Sequence, residues 1–137
     1  MLYIFDADGT LTPSRSGSCG EFSFTLLPGV EQKCAALHTA GHTLAIASNQ
    51  SKDRDISSIL TQMTWTANRL GIFPLYVRYA NTSVRRKPKP DMLLELMADS
   101  GYPAADTVFV GDQETDRQAA KAAGVTFFWA EDFFKEE

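Results

Sequence analysis

Asp6-Ala7-Asp8-Gly9-Thr10 follows directly on the apolar run Leu2-Tyr3-Ile4-Phe5, and this junction holds the residues best suited to chemistry. An unbroken apolar run reads as a buried strand of a parallel sheet, covered on both faces. Removing a carboxylate from water costs several kcal/mol unless a partner or a metal offsets it. Two acids at the end of such a strand therefore imply a compensating group. In extended chain Asp6 and Asp8 would point the same way and could share one cation. Gly9 permits the sharp turn that lifts them out of the sheet. Open α/β sheets collect their ligands at this place, beyond the carboxyl ends of the strands.

Three further segments carry matching side chains. Ser48-Asn49-Gln50 closes a second apolar run; a hydroxyl beside free backbone N–H groups can hold a phosphate oxygen, while Ser48, Asn49 or Ser51 could instead cap the next helix. Arg85-Arg86-Lys87-Pro88-Lys89-Pro90 crowds cations that repel one another unless they face an anion, and its prolines stiffen the backbone so that the lysines are aimed. Either Lys87 or Lys89 could be the one that matters. Val110-Gly111-Asp112-Gln113-Glu114-Thr115-Asp116 repeats the opening design, an apolar strand and then acids. Asp112 can complete a divalent site with Asp6 and Asp8, because Mg²⁺ takes a few carboxylates and fills its remaining positions with water. Asp116 lies about one helical turn further on. It could bond a lysine of the basic run, or simply enrich a helix N-terminus in acid, which the helix dipole favours.

The elements that must position these groups alternate along the chain. Leu2 to Phe5 is a strand, and Gly29 to Ala40 a helix with Val30, Cys34 and Leu37 on one face. His42 to Ala47 is the second strand, and residues 53 to 70 form a helix with Ile56, Ile59, Leu60, Met63, Ala67 and Leu70 at helical spacing. A strand over Pro74 to Ala80, a helix from Pro90 to Ser100, a strand over Thr107 to Val110, a helix over Glu114 to Ala123 and a strand over Val125 to Phe128 complete the series. This alternation predicts an α/β fold, a doubly wound and mainly parallel sheet with right-handed crossovers. The residues from Leu11 to Gly29 fit no regular element and read as a flap.

Size and composition agree with one domain. The chain has 137 residues, 44% hydrophobic and 22% charged, long enough to bury roughly two thirds of its unfolded surface. A net charge of −4 argues against a broad nucleic-acid-binding face. No apolar run approaches the ~18 residues of a membrane span, and a start that enters a strand at once, with no basic region or cleavage site, leads us to expect no secretion signal. Cys19 and Cys34 lack metal-type spacing and suit a reducing cytoplasm. His38 and His42 read as structural, and the aromatic end, Phe127-Phe128-Trp129 with Phe133-Phe134, as core packing.

Taken in order, Phe5-Asp6-Ala7-Asp8-Gly9-Thr10-Leu11, Ser48, Lys87-Pro88 and Gly111-Asp112 with Asp116 resemble the haloacid dehalogenase superfamily of aspartate-dependent phosphohydrolases. The pairing of Ser48-Asn49-Gln50 with Arg86-Lys87-Pro88 is most similar to its branch of histidinol-phosphate, heptose-bisphosphate and polynucleotide 3′-phosphatases. The resemblance implies Asp6 as nucleophile, Asp8 as general acid and base, Ser48 as phosphate ligand and Lys87 as the cation steadying the transferring group. It implies Mg²⁺ held by Asp6, Asp112 and the backbone carbonyl of Asp8, with Gly9, Gly111 and Asp116 in support. Thr10, Asn49 and Arg86, with Arg15 from the flap, would touch the substrate. An Asp at both positions of the DxD favours a phosphatase, because a dehalogenase has no leaving alkoxide to protonate. The segment Leu75 to Arg85 contains no Cys or His, so the zinc loop of heptose-bisphosphate phosphatases is not implied. With no room for a cap domain, the open site suits an extended substrate, such as a nucleic-acid 3′-phosphate end, or a homo-oligomer whose second subunit supplies the lid. A phosphorylated metabolite such as a sugar phosphate or a histidinol-phosphate-like ester remains equally compatible. Three other readings share these motifs: a receiver-like phospho-aspartate switch, a non-catalytic binding module on the same fold, and transfer of the phosphoryl group to an acceptor other than water.

Overall fold

The computed structural model describes residues 1–14 and 22–135; Arg15 and Cys19 lie outside the described residues. Five strands form one all-parallel sheet: β1 (Leu2–Phe5), β2 (Thr43–Asn49), β3 (Val77–Ala80), β4 (Thr107–Gly111) and β5 (Thr126–Trp129), in the order β3-β2-β1-β4-β5. Helices α1 (Val30–Thr39), α2 (Ile56–Leu70), α3 (Asp91–Ser100) and α4 (Glu114–Ala123) make the crossovers, and the short α5 (Ala130–Phe133) follows β5. The doubly wound parallel expectation holds. Among the described residues no cap domain interrupts it, and none of the helices is long and apolar enough to cross a membrane.

Both faces of the central strands are covered, which explains why β1 reads as a continuous apolar run rather than an alternating one. Leu2 and Ile4 pack toward Met92, Leu93 and Leu96 of α3 and Ala119 and Ala120 of α4. Phe5, on the opposite face, packs toward Val30 and Cys34 of α1 and Ile59 and Met63 of α2. Each fully buried Leu, Ile or Phe contributes about 1.5–3 kcal/mol relative to an exposed one, so this two-sided core sets the strands firmly. Burial pushes the Cys34 thiol up to about 12, and the group is an inert packing residue.

Local chemistry sets most element boundaries. Asp55 accepts from the Ser58 amide at 3.3 Å and so starts α2 three residues after the expected beginning. Strand β2 runs on through Ser48 and Asn49 because β3 supplies partners, Ser48 opposite Tyr79 and Asn49 opposite Ala80. The aromatic end divides. Phe133 and Phe134 pack on Phe5, Phe127 packs on Phe109, and Phe128 and Trp129 stay largely exposed on the edge strand.

Candidate active site

The sheet order makes the site. β1 lies between β2 and β4, with Phe5 opposite Ile46 on one side and Val110 on the other. The turns after these three strands therefore emerge side by side. Asp6 still belongs to the ladder, its amide bonding the Val110 carbonyl at 3.0 Å. Asp112 follows one residue after the end of β4, and Thr10 joins the two turns although it is 102 positions away: its Oγ1 donates to Asp6 Oδ2 at 3.4 Å and to Asp112 Oδ1 at 3.3 Å. Gly9 turns with φ +81°, and a Cβ there would meet Asp112 Oδ2 at 2.1 Å. The acids approach this closely only because that side chain is missing.

Lys87 resolves the choice left open by the basic run. Only 2% exposed, its Nζ donates to Asp6 Oδ1 at 2.9 Å and to the Ala47 carbonyl at 2.9 Å, and pairs with Asp116 Oδ1 at 2.6 Å. Lys89, two residues on, turns to the surface and bonds the Ser83 and Val84 carbonyls. Asn49, expected to touch substrate, grips the backbone of Lys87 from both sides: its Oδ1 accepts from the Lys87 amide at 2.9 Å and its Nδ2 donates to the Lys87 carbonyl at 3.1 Å. Arg86 donates to the Gln50 carbonyl at 2.7 Å. Asp116 closes the other end, its Oδ2 accepting from the amides of Asp112 and Gln113 at 3.1 and 3.0 Å. Gly111 leaves room for it, since a Cβ there would come within 2.5 Å of Asp116 Oδ2.

The carboxylates of Asp6 and Asp8 do not point the same way. The chain bends at Ala7, two residues past the end of β1, so the extended geometry assumed for the DxD is lost. Asp8 turns toward α2, where Gln62 Nε2 donates to its Oδ1 at 2.7 Å and Gln50 Nε2 to its Oδ2 at 3.1 Å. The carboxylate brought beside Asp6 and Asp112 is that of Asp116: one oxygen of each lies within 4.8 Å of the others. Asp116 rather than Asp8 is thus the carboxylate grouped with Asp6 and Asp112. Ser48 is fully buried and its Oγ accepts from Gln50 Nε2 at 2.8 Å.

Burial pushes Asp6 up to about 6 against the pull of the Lys87 ammonium, and the neighbouring Asp112 adds to the rise. Asp116 is raised too, first by burial and then by Asp6. Lys87 is raised as well, because Asp6 and Asp116 together outweigh the burial that would lower it. Negative charge is thus in surplus at the head of the sheet. Asp116 spends its oxygens on Lys87 and on two backbone amides, while Asp6 and Asp112 share the Thr10 hydroxyl and could together take a cation. Their all-oxygen donor set fits a hard divalent ion such as Mg²⁺. Beside them opens a cleft of about 340 Å³, bordered by Asp6, Asp8, Asp112, Asn49, Arg86 and Lys87, and also by Ser14, Gln113 and Thr115. Ser14 and Thr115 carried no sequence signal as site residues; nor did Arg54, just before α2, or Gln62 on it.

A family model described as haloacid dehalogenase-like hydrolase matches residues 18–130. The phosphoglycolate phosphatase of Pseudomonas syringae pv. tomato is 36% identical over 103 residues, which make up 74% of this chain and 36% of that protein. The chain thus spans little more than a third of such relatives. The D-glycero-beta-D-manno-heptose-1,7-bisphosphate 7-phosphatase of Vibrio cholerae is 32% identical over 143 residues, covering 89% of this chain and 76% of that one. Among solved structures, the D,D-heptose 1.7-bisphosphate phosphatase of B. bronchiseptica, complexed with magnesium and phosphate, superposes with a TM-score of 0.77 at 24% identity, covering 92% of this chain and 78% of that one. CbbY of Rhodobacter sphaeroides, in complex with phosphate, gives 0.69 at 16% identity over 93% and 84% of the two chains. These two likenesses establish the fold.

Proposed function

The chain belongs to the haloacid dehalogenase-like hydrolases, and from that premise we propose that it hydrolyses phosphate monoesters through an aspartyl-phosphate on Asp6. The observation that carries this reading is the buried Lys87 ammonium, bonded at once to Asp6 at 2.9 Å and to Asp116 at 2.6 Å, with Asp112 alongside. A carboxylate nucleophile is repelled by an anionic phosphoryl group, and fixed positive charge at the point of attack removes that repulsion. An Asp6 oxygen forms a bond to phosphorus while the ester oxygen departs, taking a proton from Asp8. A water molecule then gives its proton to Asp8 and displaces phosphate from Asp6, which returns both aspartates to their starting state.

Asp6, Asp112 and the backbone carbonyl of Asp8 would hold Mg²⁺. When bound there, the ion shields the charge of the phosphoryl oxygens. The residues work as one capless phosphohydrolase domain, and Ser14, from the segment 11–29 expected to be a flap, borders the cleft. Ser48, buried at the end of β2, would offer its hydroxyl to the phosphate, and Arg86, which borders the cleft, would face the rest of the substrate. The substrate class is a phosphorylated small metabolite, as the names of the curated relatives suggest.

Replacing Asp6 with Asn tests the reading. With Mg²⁺ and p-nitrophenyl phosphate, turnover should fall by about 10³-fold or more, while the circular dichroism spectrum stays that of the folded protein. Wild-type turnover by this variant would sink the mechanism. A panel of phosphorylated metabolites and 3′-phosphorylated oligonucleotides then separates small esters from nucleic-acid ends.

A further inference from the structure

Resting on the reading of Asp8 as proton donor and acceptor, we infer that Arg54, acting through Gln50 and Gln62, is the positioning residue that aims the Asp8 carboxylate at the leaving-group oxygen. Arg54 precedes α2 and is buried. Its Nη1 donates to Gln50 Oε1 at 2.8 Å and to Gln62 Oε1, and its Nη2 to the Ser58 carbonyl. The same two glutamines present their Nε2 groups to Asp8, Gln62 to Oδ1 and Gln50 to Oδ2. One guanidinium thus orients two amides, and each amide holds one oxygen of one carboxylate.

The chemistry of the three groups makes this orientation obligatory. A guanidinium only donates and an ionised carboxylate only accepts, whereas an amide does both at opposite ends. Flipping either glutamine would set its N–H groups against the guanidinium and its oxygen against Asp8, leaving two buried mismatches. By itself the terminal torsion of an aspartate has a broad, shallow preference. With one donor on each oxygen, the carboxylate cannot rotate without breaking a bond. Burying an arginine is costly unless its donors are used, and here two acceptors of its Nη1 are the groups that face Asp8. Gln50 also donates to Ser48 Oγ at 2.8 Å, so the same clamp sets the hydroxyl beside the proposed phosphate position.

The test compares two esters in the presence of Mg²⁺. β-Glycerophosphate releases an alkoxide that needs a proton from Asp8; 2,4-dinitrophenyl phosphate releases a phenolate that needs none. Because kcat/KM covers only the steps through the first phosphoryl transfer, the ratio of the two kcat/KM values isolates proton donation. In Arg54→Met and in Gln62→Met this ratio, alkyl over aryl, should fall at least about tenfold. A folded variant whose ratio stays within about twofold of wild type overturns the inference. Should Arg54→Met fail to fold, Gln62→Met decides alone, since Met keeps the volume and suits a helix. If the wild-type chain cleaves neither ester, the phosphatase reading itself fails, and this inference falls with it.

Discussion

Two sides of one turn, the surroundings of Asp6 and those of Asp8, are built on opposite physical principles. Around Asp6 the interactions are ionic: a buried ammonium, a second carboxylate on that ammonium and a third joined through the Thr10 hydroxyl. Around Asp8 the described residues supply dipoles, two neutral amides with the Arg54 guanidinium behind them. The difference shows what each side is for. Full charges at short range hold a nucleophile in place and neutralise an incoming anion, because Coulomb energies grow where water is excluded. Donors on both oxygens fix the direction of a carboxylate. The ionic side also leaves negative charge in surplus.

The largest effect should come from removing the central charge of the ionic side. Lys87→Met should lower kcat/KM for p-nitrophenyl phosphate by about 10³-fold and cost about 3–5 kcal/mol of stability in urea denaturation, since it strands buried carboxylates. Lys89→Met, two residues away, should leave both measurements within about twofold, as expected of a side chain that bonds only surface carbonyls. Equal losses in the two variants would break the contrast.

Next comes the close approach of the two acidic turns. Gly9→Ala forces a Cβ against Asp112 in a backbone conformation that costs an L-residue about 1–2 kcal/mol. The Mg²⁺ concentration needed for half-maximal activity should rise about tenfold or more, read from a metal titration. A variant with unaltered metal dependence would show that Asp112 holds no cation.

The surplus charge also sets a pH dependence. Asp6 and Asp116 lie above their ordinary range in the folded chain, so folding favours their protonated forms. Their contribution to stability is present below the ordinary carboxylate range and is lost as pH rises through the folded value. In EDTA, the Tm should therefore fall between about pH 4.5, where surface carboxylates such as Glu95 and Glu114 are already ionised and held low by Arg partners, and about pH 6. Added Mg²⁺ should reverse the fall above that window, by binding the native state alone. A Tm that rises steadily with pH in EDTA would contradict the excess of negative charge.

The smallest effect sharpens the dipolar side. Ser48→Ala removes one hydroxyl that accepts from Gln50 and should lower kcat/KM by about tenfold, with a loss near 1 kcal/mol in stability. A larger loss in stability than in activity would make Ser48 a packing residue and nothing more.

Much of this was legible in the residues, and the exceptions have a common cause. The acidic turns after β1 and β4 could be read because each sits in one short segment, an apolar run followed by Asp. Helix α4 runs from Glu114 to Ala123 as its acids and small apolar residues imply. The direction of Asp8 could not be read, because the bend at Ala7 decides it and the spacing of two acids does not. The choice between Lys87 and Lys89 could not be read either; it depends on Asn49, from another strand, gripping the Lys87 backbone. Gln62 and Arg54 gave no signal, since a glutamine on a helix and an arginine before it look like solvated polar residues until the fold buries them.

Local sequence therefore determined which groups are acids, bases and turns, and on which elements they stand, because hydrophobic period and backbone preference act over a few residues. Tertiary structure decided which of those groups meet. The strand order β2-β1-β4 brings three turns together, and only the resulting burial converts ordinary carboxylates, one lysine and two glutamines into a charged side and a dipolar side, since the strength of each interaction depends on how much water the surrounding chain removes.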